Sequence, residues 1–109
     1  MIVYRLEDKF GTGVFQGRWF ALPGPPPGRH PTPVDEFGDT DWGSRHCGFK
    51  SIHQLRRWFN KAQREVITTH GIRLRSYECD PADVLIGKFQ IMFTKKSAVK
   101  VDCLSPNAI

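Results

Sequence analysis

Six prolines fall within residues 23–33, which read Pro-Gly-Pro-Pro-Pro-Gly-Arg-His-Pro-Thr-Pro, out of eight in a 109-residue chain. Proline lacks a backbone donor and fixes φ, so neither a helix nor a central strand can run through this stretch. It has to be extended chain, locally polyproline-like. Residues 35–43 continue the irregular character with four acids and no base. Residues 23–45 therefore read as one long loop inside a single domain spanning 1–109. A loop of this length in a compact domain is usually functional or mobile.

The remaining chain is enough for one modest core. Hydrophobic residues make up 39% and charged residues 25%. That is an ordinary soluble balance, which excludes a disordered chain and a membrane protein. Charge at Arg5 leaves no room for a signal peptide's apolar segment. The longest apolar runs, around Leu85 and Met92, are far too short to span a bilayer, so no membrane partner is expected. Three cysteines, Cys47, Cys79 and Cys103, are an odd number with no zinc spacing. They read as reduced thiols, mostly buried, in a cytoplasmic protein with no metal and no cofactor.

The elements suggest α+β: a small antiparallel sheet of about four to five strands packed on one long helix. Residues 2–6 are β-branched and aromatic enough for a first strand. Gly11, Gly13 and Gly17 suggest a turn or hairpin around Val14 and Phe15, while 18–22 fits strand or helix equally. Ser51 and Gln54 form a capping-box pair. Ile52, Leu55, Phe59, Ala62 and Val66 then recur at intervals of three and four, predicting a helix over about 51–69 with that face buried. Gly71 sits where a left-handed terminator is wanted. Residues 72–79 alternate as a strand, and 80–83 turn at Pro81. Residues 84–93 read as a strand broken near Gly87, and 98–104 as a last strand.

The charge pattern points to binding. Residues 35–41 hold four acids, so the formal +5 conceals +9 over the rest of the chain. Arg56, Arg57, Lys61 and Arg64 fall largely off the apolar helix face, and Arg73 and Arg75 follow on the next strand. Such a cluster suits phosphates of a nucleic acid or nucleotide, or is a solvated face that maintains solubility. Trp19, Phe37 and Trp42 flank or lie in the long loop. They either fold it down onto the core or join the arginines in a partner-binding surface. No nucleophile, base and orienting group come together by sequence, so no catalytic residue is assigned.

Val3-Tyr4-Arg5, Gly11-Thr12-Gly13-Val14-Phe15, Cys47-Gly48-Phe49-Lys50-Ser51 leading to Leu55 and Trp58-Phe59, and Gly87 through Phe93 together resemble a recurring type of small bacteriophage and prophage protein. The resemblance implies an accessory protein acting on host machinery, including anti-CRISPR and other counter-defence inhibitors. A fainter similarity is to the ADP-ribosyltransferase fold. Tyr4 and Arg5 match its first strand, and Phe49 with Ser51 its aromatic-Ser segment. Gln90 stands where that family has a catalytic Glu, and Gln cannot carry the charge that stabilises an oxocarbenium ion. The resulting expectation is a non-enzymatic protein that inhibits or modulates a host protein or nucleoprotein complex. The alternatives are a nucleotide-binding or transferase-like protein using Tyr4, Arg5, Ser51 and Gln90, and a direct nucleic-acid binder.

Overall fold

Residues 1–14, 36–38 and 45–109 are described by the computed structural model. Trp19, Trp42, the proline run and the ambiguous 18–22 segment lie outside the described residues.

The first strand, β1 (Ile2–Glu7), is buried on both faces because it separates two layers. It pairs antiparallel with β3 (Arg73–Glu78), which pairs antiparallel with β6 (Val99–Leu104). Alternate residues of a strand point to opposite faces. Leu6 and its partner Leu74 therefore face one way, toward Phe49, Leu55, Phe59, Ile67 and Ile72. Val3 and its partner Tyr77 face the other way, toward Cys79, Val84, Ile91 and Phe93.

A second antiparallel sheet has the order β2 (Arg45–Gly48), β5 (Ile91–Thr94), β4 (Val84–Ile86). The expected break at Gly87 is a turn between β4 and β5, which pair with each other. Among the described residues there are thus two three-stranded sheets rather than one sheet of four to five strands. The strand at Arg45–Gly48, of which only Arg45 fell within the expected loop, supplies the sixth among the described residues. The sheets meet at a corner. Tyr4 and Phe49 exchange backbone hydrogen bonds of 2.8 and 2.7 Å, immediately after β2 ends at Gly48. A Cβ on Gly48 would come within 2.7 Å of the Tyr4 carbonyl oxygen, so only glycine lets the two backbones approach this closely.

The expected single helix over 51–69 is two helices, α1 (Ile52–Trp58) and α2 (Lys61–Thr69). Ser51 caps α1, its hydroxyl accepting the Gln54 N–H at 3.0 Å. The Gln54 side chain reaches back to the Lys50 N–H, one residue before the predicted Ser51 amide. Phe59 then takes an extended conformation, and Asn60 starts α2 with a complete capping box to Gln63. The interruption resets the helical phase. Leu55 and Phe59 are buried as predicted, but the second half turns Arg64 and Ile67 inward and leaves Ala62 and Val66 outside. Gly71 ends the pair at φ +80°, the left-handed position expected of it.

Candidate functional site

Charged residues divide into an inner set that holds the layers together and an outer set that faces solvent. The inner set centres on Glu7. Arg5 and Glu7 lie on the β1 face that looks toward the second sheet, and Arg5 sits directly opposite Arg75 of β3. Two like charges across an antiparallel pair repel. Glu7 resolves the conflict with both carboxylate oxygens. Its Oε2 accepts from Arg5 Nε at 2.9 Å and Lys95 Nζ at 3.0 Å. Its Oε1 accepts from the Tyr77 hydroxyl and lies 3.5 Å from Arg75 Nε. Arg5 also donates Nη1 to the Cys47 carbonyl at 2.6 Å, which ties β1 to β2. Gly13 has to lack a side chain, because a Cβ there would lie 2.5 Å from Arg5 Nη2.

This geometry fixes the protonation states. Burial pushes the Glu7 carboxyl up, but the Tyr77 hydroxyl, Lys95 and Arg5 outweigh it and hold Glu7 below the usual carboxylate range. Burial, the Glu7 hydrogen bond and the Glu7 charge push the Tyr77 phenol well above its ordinary value. Burial and the nearby Arg5 and Lys95 charges lower the His46 imidazole, so His46 is neutral near pH 7. Burial raises the Cys47 thiol against the pull of Arg5, which leaves it protonated and a weak nucleophile. Near neutral pH the Glu7 carboxylate is charged, held by three hydrogen-bond donors and the nearby Arg75 charge, an arrangement suited to fixing position rather than moving protons.

Of the predicted nucleotide-binding residues, Tyr4 and Arg5 are brought beside the Phe49–Ser51 segment by the Tyr4–Phe49 bridge. Arg5 is only 3% exposed and engaged by Glu7 and Cys47, and the Ser51 hydroxyl is the α1 cap. Gln90 is buried at the entrance to β5, where its N–H donates to Glu36 Oε1 at 3.2 Å. The same oxygen accepts the Phe89 N–H, and the Trp58 indole donates to the Phe89 carbonyl. The turn before β5 is thus pinned from two sides. Phe37 is half-buried and packs over Gly87, where any Cβ would collide with Glu36 and Phe37. Of the cysteines, Cys79 is buried and Cys47 half-buried, whereas Cys103 is exposed, against the expectation of mostly buried thiols.

The outer set is smaller than the sequence suggested. Arg64 is not on the exposed helix face. It is 8% exposed, donates Nη1 to the Phe59 carbonyl at 2.8 Å and Nη2 to the Ile109 carbonyl at 3.3 Å, and so clamps the helix break to the C-terminal turn. Arg75 is largely covered and lies beside Glu7. Arg73 is exposed at the far end of β3. His53, Arg56, Arg57 and Lys61 are all exposed along α1 and the start of α2, and α1 contains no acid. Among the described residues, Arg56, Arg57 and Lys61 form no ion pair.

Sequence reasoning missed the Glu7 cluster, although alternation offered a signal. Arg5-x-Glu7 and Arg75-x-Tyr77 each place two polar groups on one strand face. The helix break was legible too, since Asn60-x-x-Gln63 has the capping-box form.

No helix among the described residues is long and apolar enough to cross a membrane. No solved structure matches the chain. A curated relative from Enterobacteria phage T4, described as the uncharacterized 19.7 kDa protein in motB-dexA intergenic region, is 36% identical over 53 residues. That alignment covers 49% of this chain and 32% of the relative, so the chain accounts for about a third of that protein's length. The family model described as bacteriophage T4 Y00F protein matches residues 1–107, and the chain therefore belongs to this bacteriophage protein family.

Proposed function

We propose that the protein is a phage accessory factor that binds an acidic surface of a host protein or nucleoprotein complex through the basic face of α1. By occupying that surface it inhibits or modulates the complex, as a counter-defence inhibitor of the anti-CRISPR type does. The observation that carries this reading is the row of exposed, unneutralised cations Arg56, Arg57 and Lys61. Charges with no internal partner contribute little to the fold and remain available to steer and orient a partner. Arg73 adds exposed positive charge. Phe37 supports the loop turn, and Arg64, Arg75 and Arg5 support the layers. Those four are not contact residues in this reading.

The test is capture of bacterial proteins by the wild-type chain and by Arg56→Gln/Arg57→Gln/Lys61→Gln, each with and without nuclease treatment of the lysate. The proposal expects partners retained by the wild type after nuclease and lost from the triple variant. Identical captures by both chains would remove it. Loss of all capture on nuclease treatment, with a steep decline in salt, would favour direct nucleic-acid binding instead.

A further inference from the structure

The Glu7 cluster carries more positive charge than its own carboxylate neutralises. Arg5, Arg75 and Lys95 all stand within 3.5 Å of Glu7, so three cations share one carboxylate and two positive charges are left over. Neither Arg75 nor Lys95 pairs with a second carboxylate among the described residues. Arg73 adds to the excess. It is exposed and lies two residues from Arg75 on β3, which puts both on one face of the sheet. Surplus charge of one sign in a partly covered site is costly to hold and attracts an ion of the opposite sign.

Two of these cations keep donors open to solvent. Arg75 approaches Glu7 most closely through Nε, at 3.5 Å, and its guanidinium makes no hydrogen bond among the described residues. Its two Nη groups form a planar fork suited to two oxygens of one anion. The side chain is 14% exposed, so the fork is reached from one side only. Lys95 donates Nζ to Glu7 Oε2 at 3.0 Å, lies over the Tyr77 ring and is 32% exposed. An ammonium has three N–H donors, and this bond uses one of them. Gly11 stands against Lys95 Nζ, where a Cβ would come within 3.3 Å, so the loop leaves the ammonium uncrowded there.

We propose that Arg75 and Lys95, with Arg73 at the rim, bind a phosphate dianion. Two negative charges match the two-charge excess, and tetrahedrally placed oxygens can accept from a guanidinium fork and an ammonium together. Arg75 and Lys95 flank opposite oxygens of the same carboxylate, a separation that a single tetrahedral anion can span. The Glu7 oxygens are already turned to the Arg5, Lys95 and Tyr77 donors, so the anion meets the far side of the cations. The chemistry is shared by free inorganic phosphate and the terminal phosphate of a monoester. The helices pack on the other face of this sheet, so the site is separate from the basic row of α1 and does not rest on its proposed role.

Amide spectra of the isotope-labelled full chain, titrated with inorganic phosphate in chloride buffer at constant ionic strength, test the proposal. The wild type is expected to show saturable shifts centred on Gly11, Arg73, Arg75 and Lys95. Arg75→Gln removes the fork, leaves Glu7 its bonds to Arg5 and Lys95, and takes away the like charge opposite Arg5. It should weaken binding by about tenfold or more. Lys95→Met keeps an apolar stem without the charge and should weaken binding similarly. Arg56→Gln/Arg57→Gln/Lys61→Gln should bind phosphate as the wild type does. Variants are compared only if their amide dispersion matches the wild type. A parallel titration with adenosine monophosphate assigns the source: binding at least as tight as phosphate supports a monoester, and weaker binding supports the free ion. A wild type without saturable shifts overturns the proposal, as do shifts centred on α1. Binding indifferent to both Arg75→Gln and Lys95→Met overturns it as well.

Discussion

The two faces of the first sheet are held by different physics. The face toward the helices is closed by Leu6, Leu74, Leu55, Phe59 and Ile67, an apolar cluster with no charge among its members. The face toward the second sheet begins with similar packing, Val3, Tyr77, Ile91 and Phe93, but continues into the Glu7 cluster. Apolar packing is non-directional and loses stability in proportion to what is removed. A buried ionic cluster is different, because its cost is concealed until one partner is taken away. One carboxylate faces three cations here, so Glu7 cannot be replaced singly.

The largest loss is expected at Glu7. Glu7→Gln leaves Arg5, Arg75 and Lys95 around a neutral amide, and the expected loss is about 3–5 kcal/mol in denaturant unfolding. Leu55→Ala on the other face should cost about 2–5 kcal/mol by transfer and cavity formation. The two are separable by acid. A carboxyl lowered by folding stabilises the folded state above its ordinary value of 4.5, and that gain is lost as pH falls through the lowered value. His46 acts at higher pH. Its imidazole is neutralised on folding, so stability also declines as pH falls below 6.5 toward the lowered value. Wild type and Leu55→Ala should show both declines, while Glu7→Gln should lose the lower one. A smaller effect is expected at the helix break. Asn60→Ala removes the cap of α2 and should cost about 1 kcal/mol, checked by thermal or denaturant unfolding.

Much of the order of elements was legible from the sequence. The strands near 2–6, 72–79 and 98–104, the interruption at Gly87 and the terminator at Gly71 all rest on local signals, and local signals survive folding. What was not legible depends on contacts distant in sequence. Whether Val66 or Ile67 faces the core is decided by the break at Phe59 and Asn60, and a periodicity extended through that break turns Arg64 outward when it is inward. Residues 45–48 carry weak strand propensity and become a strand because β5 supplies the ladder. Gly48 looks like any loop glycine until Tyr4 is known to pass beside it. Which of the basic residues are exposed was legible only in part. Arg56, Arg57 and Lys61 were named and are exposed. Arg64 and Arg75 were named as contacts and serve packing, because a composition of charges does not say which of them have a carbonyl or a carboxylate waiting.

Inner cations hold the layers, and the outer cations are the ones we propose to hold a partner. Thermal unfolding and partner capture measured on the same Arg56→Gln/Arg57→Gln/Lys61→Gln preparation separate these two roles. Neutralising exposed, unpaired side chains should change stability by no more than about 0.5 kcal/mol per site, well short of the Glu7→Gln loss. The expected result is near-native unfolding with capture abolished. Unfolding as severe as that of Glu7→Gln, or capture unchanged from wild type, would contradict it.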